Sequence, residues 1–296
     1  MGLYDLIKDL KAVDVLVDVP SCYVDDPLAI ALDILAAKRS PRRIVIIDRE
    51  RKVRGVITSL RILEILLGFR GSVMVKLRGL TKVLREKVIL FSDEAPYTMV
   101  RDTPLISVIK HMGENSIPMI PIVDDLGTYM GVIDETRVLK LLKGRTFGEE
   151  VSIAIEAVFP SVFMRDTALK AAEAMIKEVK GKAVVLNDKN LPAGVVTAKD
   201  ILKLPLVTEE IIELLRTDVE VGFADILGKV GVTKVMSSPA IIAREGEDIG
   251  RAIDTMIDSD VGLLPIVSEK EGRFTGVLTR MSVIRAIVRE HINPLG

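Results

Sequence analysis

Two hydrophobic periods alternate along this chain, and the alternation occurs four times. Each copy contains a stretch with apolar residues at every third or fourth position, which predicts an amphipathic helix; these stretches start near Leu28, Leu105, Leu169 and Ile249. A β-branched run follows each stretch and predicts a buried strand. A polar turn, another strand and a second helix come next. With a short strand at its start, the unit reads strand, helix, strand, strand, helix.

The last strand of each unit ends in a glycine segment that leads into the next helix. The four segments are Gly55-Val-Ile-Thr58-Ser-Leu-Arg61, Gly131-Val-Ile-Asp134-Glu-Thr-Arg137, Gly194-Val-Val-Thr197-Ala-Lys-Asp200 and Gly276-Val-Leu-Thr279-Arg-Met-Ser282. Each glycine lies 25 to 27 residues after the helix residue named above for its copy. A unit repeated at matched spacing sets the fold of the whole chain, and each copy serves as a control for the others.

The copies alternate between two subtypes. Pro20-Ser21 and Pro160-Ser161 precede the first and third copies, whereas Thr81-Lys-Val83 and Thr233-Lys-Val235 precede the second and fourth. This alternation indicates that a two-copy module was itself duplicated. It predicts one domain at 1–145, with units at about 10–68 and 80–144, and another at 146–296, with units at about 146–204 and 229–292. An additional helix is predicted over 208–216.

Composition favours a cytoplasmic protein of ordinary globular domains. Of 296 residues, 49% are hydrophobic, and the formal net charge is −1. No run approaches the roughly 18 apolar residues that a membrane span needs, so no membrane association is expected. Cys22 is the only cysteine, which excludes an internal disulfide framework and a thiolate zinc cluster.

The sequence offers little for catalysis. His111 and His291 lie in different copies and in no metal-ligand spacing, so neither a metal nor a catalytic cofactor is expected. A phosphate loop and a dinucleotide-binding Gly-x-Gly-x-x-Gly are both absent. A serine or cysteine nucleophile would need a neighbouring base, and the sequence indicates none. We therefore expect no enzymatic activity and no catalytic residue.

The repeated unit resembles the CBS motif, in which strand-helix-strand-strand-helix copies pair into a Bateman module and the last strand ends Gly-hydrophobic-hydrophobic-Thr/Ser-x-x-Asp. Four such motifs would cover the chain apart from short ends and linkers. The resemblance implies an α+β fold with two Bateman modules forming a disc. This layout is similar to that of the γ subunit of AMP-activated protein kinase.

The glycine segments carry the candidate chemistry. A hydroxyl at the helix N-cap lies beside unpaired N–H groups, a place that suits a phosphate, and a carboxylate three residues later can accept hydrogen bonds from ribose hydroxyls. The same pair also approximates a capping box that needs no ligand. Only Thr197 with Asp200 is complete, because the third position is Arg61, Arg137 or Ser282 in the other copies. In the second copy we expect Asp134 and Arg137 to bond each other and exclude nucleotide.

The resemblance also implies which residues surround the ligand, since a motif end is completed by strands of its partner. The primary AMP site would combine the third motif end with two parts of the fourth copy. Its residues would be Val195, Thr197, Lys199 and Asp200 of the third copy, Ala240 and Ile241 on the first strand of the fourth copy, and Val261 and Gly262 before its second strand. A weaker secondary site would consist of Val277, Thr279, Ser282, Ser161, Gly181 and Lys182. Plain core packing remains an alternative for the apolar members.

The expected function is that of a regulatory, energy-sensing protein that binds an adenosine nucleotide, AMP by preference with ADP or ATP as alternatives. It would transmit occupancy to an unidentified partner protein, as a monomeric disc or a homodimer. A second hypothesis is a nucleic-acid-associated regulator using the basic segment 38–61, which sparse aromatic residues disfavour. In the first hypothesis Arg42 or Arg43 of that segment would contact ligand phosphates. A third hypothesis is a structural adaptor with empty sites.

Overall fold

A computed structural model describes residues 6–37, 41–70, 79–93, 97–204, 216, 222–268, 270 and 272–293. The helix predicted over 208–216 lies outside these residues except for Arg216. Lys38 and Arg39 of the basic segment also lie outside them.

The predicted order of elements is confirmed in all four copies. The first copy contains β1 (Ser21–Tyr23), α1 (Leu28–Ala36), β2 (Arg43–Ile47), β3 (Val53–Thr58) and α2 (Ser59–Leu66), and α3 (Leu80–Arg85) follows it. The second contains β4 (Met99–Val100), α4 (Leu105–Asn115), β5 (Met119–Val123), β6 (Tyr129–Asp134) and α5 (Glu135–Leu142).

The second half of the chain repeats this order. The third copy contains β7 (Ser161–Phe163), α6 (Ala168–Lys177), β8 (Lys182–Leu186), β9 (Pro192–Thr197) and α7 (Ala198–Leu202), and α8 (Phe223–Lys229) follows it. The fourth contains β10 (Ala243–Arg244), α9 (Ile249–Asp258), β11 (Leu263–Val267), β12 (Phe274–Thr279) and α10 (Arg280–Ile287). The fold is therefore α+β, built on four three-stranded sheets.

Each sheet has its strands in chain order, and its register places one residue opposite the helix cap. The first two strands are parallel because a helix crosses between them, and the last two are antiparallel because a short turn joins them. The residues opposite the last residue of the third strand are Arg43 for Thr58, Met119 for Asp134, Lys182 for Thr197 and Leu263 for Thr279.

The chain divides into two compact units, each made of segments from both halves of the sequence. One unit comprises Met1–Asp18, Tyr97–Val158 and Ala240–Gly296, and the other comprises Val19–Pro96 and Phe159–Pro239. Each unit has its own hydrophobic cluster.

In the second unit, burial raises the pKa of the Cys22 thiol to about 12, with a smaller contribution from Asp26, so this thiol stays protonated.

Four segments, which we call arms, pack against the last strand of a copy that they do not precede directly. The arms comprise residues 10–17 against the second copy, 79–93 against the first, 150–156 against the fourth and 223–237 against the third. Isolated bridges join each arm to that strand: Val17 to Val132, Asp93 to Val56, Glu156 to Val277 and Ser237 to Val195. The arms thus supply backbone partners to strands that would otherwise be edges.

The exchange of arms closes within each predicted module. The arms before the first and second copies contact the second and first copies, and the arms before the third and fourth contact the fourth and third. Division near residue 145 therefore leaves every arm on the same segment as the strand it contacts. The modules at 1–145 and 146–296 stay a prediction that this exchange supports.

We expect a fragment of residues 146–296 to fold alone, because it retains both arms that its two copies need. A matched fragment of residues 159–296 lacks the arm at 150–156, and the last strand of its fourth copy loses that partner. Urea unfolding followed by circular dichroism should show a cooperative transition for the longer fragment and a lower midpoint for the shorter one. Equal midpoints would contradict the role given to the arm.

Candidate functional site

All four glycine segments end in an N-cap that accepts the same hydrogen bond. The side chain of the capping residue accepts from the backbone N–H three residues later. The N···O distances are 3.1 Å at Thr58, 2.7 Å at Asp134, 3.2 Å at Thr197 and 3.0 Å at Thr279. Capping is therefore common to every copy, and any difference in ligand binding must come from the surrounding side chains.

In the third copy, Asp200 completes a reciprocal capping box. Its Oδ2 accepts from the Thr197 backbone N–H at 2.9 Å and from the Thr197 hydroxyl at 2.7 Å. Both residues are half-buried. The second carboxylate oxygen, Oδ1, makes no hydrogen bond within the described part of the chain. This copy thus combines a satisfied cap with an acceptor that a hydroxyl-bearing ligand could use.

In the fourth copy the equivalent hydroxyl is already engaged by an arm. The Thr279 hydroxyl donates to Glu156 Oε1 at 2.6 Å, and Arg285 pairs with the same carboxylate oxygen at 3.2 Å. Ser282 accepts from the Thr279 backbone N–H at 3.0 Å and donates to the Thr279 carbonyl at 3.1 Å. Thr279 is only 9% exposed and Ser282 only 3%. These hydroxyls are therefore enclosed in protein.

The first copy carries an arginine where the third has Asp200, and carboxylates surround it. Arg61 donates to Glu64 at 2.5 Å and forms a second ion pair with Asp93 of the arm. Its side chain is 11% exposed. Two carboxylates offset its charge, so this arginine is not poised to meet a ligand phosphate.

The second copy differs from its predicted arrangement. Asp134 accepts the backbone N–H of Arg137 and not its guanidinium, whose Nε instead donates to the Val15 carbonyl at 3.0 Å. The expected side-chain bond between Asp134 and Arg137 is therefore wrong. The Asp134 carboxylate serves as the helix cap, and the Val15 carbonyl of the arm lies within hydrogen-bond distance of the Arg137 guanidinium. A carboxylate still stands where a phosphate would need a neutral hydroxyl.

Strand register brings a cation to the third copy from within its own sheet. Lys182 lies directly opposite Thr197, and the Ala198 N–H donates to the Gly181 carbonyl at 3.0 Å. Gly181 and Lys182 were assigned to the secondary site, yet within this unit they neighbour the primary hydroxyl. Arg43 takes the same position beside Thr58, whereas Met119 and Leu263 are uncharged. The Arg42 carbonyl accepts from the Ser59 N–H at 3.1 Å.

The two predicted nucleotide sites draw residues from both compact units. Val195, Thr197, Lys199 and Asp200 lie in one unit together with Ser161, Gly181 and Lys182. The other unit contains Ala240, Ile241, Val261, Gly262, Val277, Thr279 and Ser282. The two sites as whole assemblies therefore stay predictions.

The first strand of the fourth copy is shorter than expected. It spans only Ala243–Arg244, so the prediction that Ala240 and Ile241 lie on this strand is wrong. Ala240 and Ile241 instead lie in the segment between Pro239 and this strand. Val261 and Gly262 do precede β11, as predicted.

The reason for a glycine in every segment was missed from the sequence. A Cβ on Gly194 would stand 2.7 Å from the Ser237 carbonyl oxygen, and one on Gly276 would stand 2.6 Å from that of Glu156. On Gly55 and Gly131 the corresponding distances to Asp93 and Val17 are 2.9 Å and 3.0 Å. The glycines are therefore where the arm backbone crosses the last strand. The recurrence of a glycine at this position in all four copies was the sequence signal from which the close contact could have been predicted.

Comparison with known families identifies the class of protein. The family model for the CBS domain matches residues 8–68, 90–144 and 232–289, which together span more than half of the chain. The chain belongs to the CBS domain family. The third copy has the same sheet order and register as the matched copies, so the protein has four CBS motifs.

Several archaeal proteins are similar over most of their length. Protein MJ1225 of Methanocaldococcus jannaschii is 23% identical over 255 residues, covering 82% of this chain and 86% of that protein. A 33.4 kDa protein from a ribosomal RNA operon of Thermofilum pendens is 22% identical over 264 residues, covering 87% and 85%.

Solved structures support the same fold. The crystal structure of MJ1225, a protein proposed as an archaeal homologue of the γ subunit of AMP-activated protein kinase, has a TM-score of 0.77 at 20% identity, covering 96% of this chain and 99% of that one. A conserved Pyrococcus horikoshii protein has a TM-score of 0.59 at 14% identity, covering 94% and 100%. This chain thus has the tandem CBS pairs of MJ1225.

Among the described residues, no helix has both the length and the apolar character needed to cross a membrane. The described part of the chain also contains no group of three histidine, cysteine or acidic side chains placed to hold a metal ion.

Replacing Gly194 with alanine should destabilise the protein by about 1–3 kcal/mol, because the new methyl group meets the backbone of the arm. Gly228 in α8 is a matched control, since its Cβ would find only ordinary contact at 3.8 Å from Leu169. Gly228→Ala should be stabilising by about 0.5–1 kcal/mol through the unfolded chain. Urea midpoints measure both effects. Wild-type stability in Gly194→Ala would contradict the close approach.

Proposed function

We propose that this protein is a regulatory nucleotide sensor that binds AMP at the motif end formed by Thr197 and Asp200. The observation that carries the proposal is Asp200 itself. One of its carboxylate oxygens is held by the cap and the other makes no hydrogen bond in the described residues. A vicinal diol of ribose offers two donors to such an acceptor.

The cap orients Asp200 before any ligand arrives. Two hydrogen bonds to Thr197 fix the carboxylate, so ribose binding does not carry the entropy cost of ordering a flexible side chain. Half-burial of both residues leaves the oxygen accessible while strengthening a hydrogen bond to it. None of the other three copies presents a carboxylate at the third position after the cap.

The phosphate part of the proposal rests on side-chain cations more than on the helix. Helix α7 has only five residues, Ala198–Leu202, so its dipole is small. Lys182 lies opposite Thr197 and Lys199 lies in the first helical turn. Positive residues at these two positions favour a phosphate electrostatically. ADP and ATP remain alternative ligands.

Similarity to known proteins agrees with this function. MJ1225, which shares the fold over nearly the whole chain, has been proposed as an archaeal homologue of a subunit of AMP-activated protein kinase. The matched family model is that of the CBS domain alone. Such a protein would report nucleotide occupancy to a partner protein, and it would itself catalyse no reaction.

The nucleic-acid hypothesis loses support from the basic segment. Arg54 pairs with Asp48 at 2.6 Å, and Arg61 pairs with Glu64 and Asp93. Internal pairing lowers the charge left for phosphate neutralisation, which dominates nonspecific affinity. The adaptor hypothesis predicts instead that no nucleotide changes thermal stability.

We expect AMP to bind and to raise the melting temperature, and Asp200→Ala to weaken AMP binding about ten- to hundredfold, because charge-assisted hydrogen bonds contribute about 1.5–3 kcal/mol. The variant should also lose the preference for AMP over its 2′-deoxy analogue. Titration calorimetry with both ligands measures these effects.

Thr167→Ala is the matched control, because Thr167 caps α6 of the same copy through the Lys170 N–H at 3.3 Å. It removes a cap at a similar cost of about 1 kcal/mol and should leave AMP affinity unchanged. If Asp200→Ala and Thr167→Ala bind AMP equally well, Asp200 is only a cap and the proposed site is refuted.

A further inference from the structure

The four arms cross the last strands in one register, so the chain contains four versions of the same position. Val17, Asp93, Ser237 and Glu156 each pair with the valine two residues before the helix cap. Backbone distances agree closely: Ser237 N–H to the Val195 carbonyl measures 2.8 Å, and Glu156 N–H to the Val277 carbonyl measures 2.9 Å. The side chain at this arm position differs from copy to copy.

Acidic side chains at the arm position reach the first turn of the adjacent helix. Asp93 pairs with Arg61, three residues after the cap Thr58. Glu156 accepts from the cap hydroxyl of Thr279 itself. The side chain at the arm position therefore lies beside the N-terminus of the helix, where the phosphate of a nucleotide would bind.

Glu156 is held in this place from a second side. Arg285, one and a half turns further along α10, pairs with the oxygen that accepts from Thr279. The Glu156 side chain is only 14% exposed. A phosphate approaching Thr279 would meet a fixed carboxylate of like charge and a hydroxyl whose proton is already donated.

The third copy carries the opposite arrangement. Ser237 is exposed and its hydroxyl makes no hydrogen bond within the described residues, so nothing anionic from the arm stands beside Thr197. Lys182 opposite the cap adds positive charge on this side. The third and fourth copies thus share a threonine cap and differ both in the residue three positions later, Asp200 or Ser282, and in the charge that the arm presents.

We infer that the arm position decides between the third and fourth copies as acceptors of nucleotide, and that Glu156 closes the fourth copy to phosphate. This inference rests on the proposed AMP binding at Thr197 and Asp200 and specifies which copy is used. The wild-type chain then binds one AMP, at the third copy.

Exchange of the two arm residues tests the inference by titration calorimetry with AMP on the full chain. Ser237→Glu should weaken binding at the third copy at least about tenfold through like-charge repulsion. Ser237→Gln has nearly the same size without charge and should bind close to wild type. Because Ser237 is exposed, both variants should fold.

Glu156→Ser should add a second AMP per chain. That site should be about ten- to hundredfold weaker than the first, because Ser282 offers no carboxylate to the ribose. Arg285 is 38% exposed and also reaches the Ser116 hydroxyl at 3.4 Å, so it retains partners when Glu156 is removed. Glu150→Ser on the same arm is the control and should keep one AMP, since Glu150 is exposed and its carboxylate accepts from Ser152.

The outcomes separate this inference from the proposed function. One AMP in wild type with unchanged affinity in Ser237→Glu overturns the inference and leaves the function intact. Equal losses in Ser237→Glu and Ser237→Gln overturn it too, because size and not charge would then decide. Absence of AMP binding in wild type and in every variant overturns both.

Discussion

The close crossing of an arm over a glycine is the interaction on which the other features depend. At each last strand the arm supplies a backbone partner, and the carbonyl oxygen of the arm lies where a side chain would otherwise project. A strand edge left open would be a site for aggregation, so the crossing satisfies the backbone of an otherwise marginal three-stranded sheet. It also fixes the register, because sliding by one residue would drive the arm into Val195 or its equivalents.

Fixed register has a chemical consequence. The arm places a side chain beside the first turn of a helix that is distant in the sequence. Glu156 and Thr279, for example, are 123 residues apart. Each copy can therefore change its electrostatics through one arm residue without altering strand, cap or core. Duplicated motifs can diverge in ligand use while their folds stay alike, since the fold depends on backbone contacts and the ligand depends on side chains.

Hydrophobic periodicity was enough to predict the order of elements in every copy, because the helices bury one face and the middle strand of each sheet is a nearly continuous buried run. The cap residues were also evident, since capping is local. The arms were not, because their contacts join distant residues and their short 3₁₀ turns have no periodic pattern. The error at Asp134 and Arg137 has the same origin: the Val15 carbonyl that accepts from Arg137 belongs to an arm. The first strand of the fourth copy was predicted too long, since only Ala243 and Arg244 pair with the next strand.

The capping box at Thr197 and the proposed ribose site do not exclude one another, because they use different lone pairs of one carboxylate. Oδ2 of Asp200 accepts both bonds from Thr197, which holds Oδ1 in a defined direction. Ser282 in the fourth copy has a single side-chain oxygen, which accepts from the Thr279 backbone N–H and donates to the Thr279 carbonyl. A carboxylate at this position can thus stabilise a helix and still present a second oxygen as an acceptor, whereas the Ser282 hydroxyl has no second oxygen and is only 3% exposed.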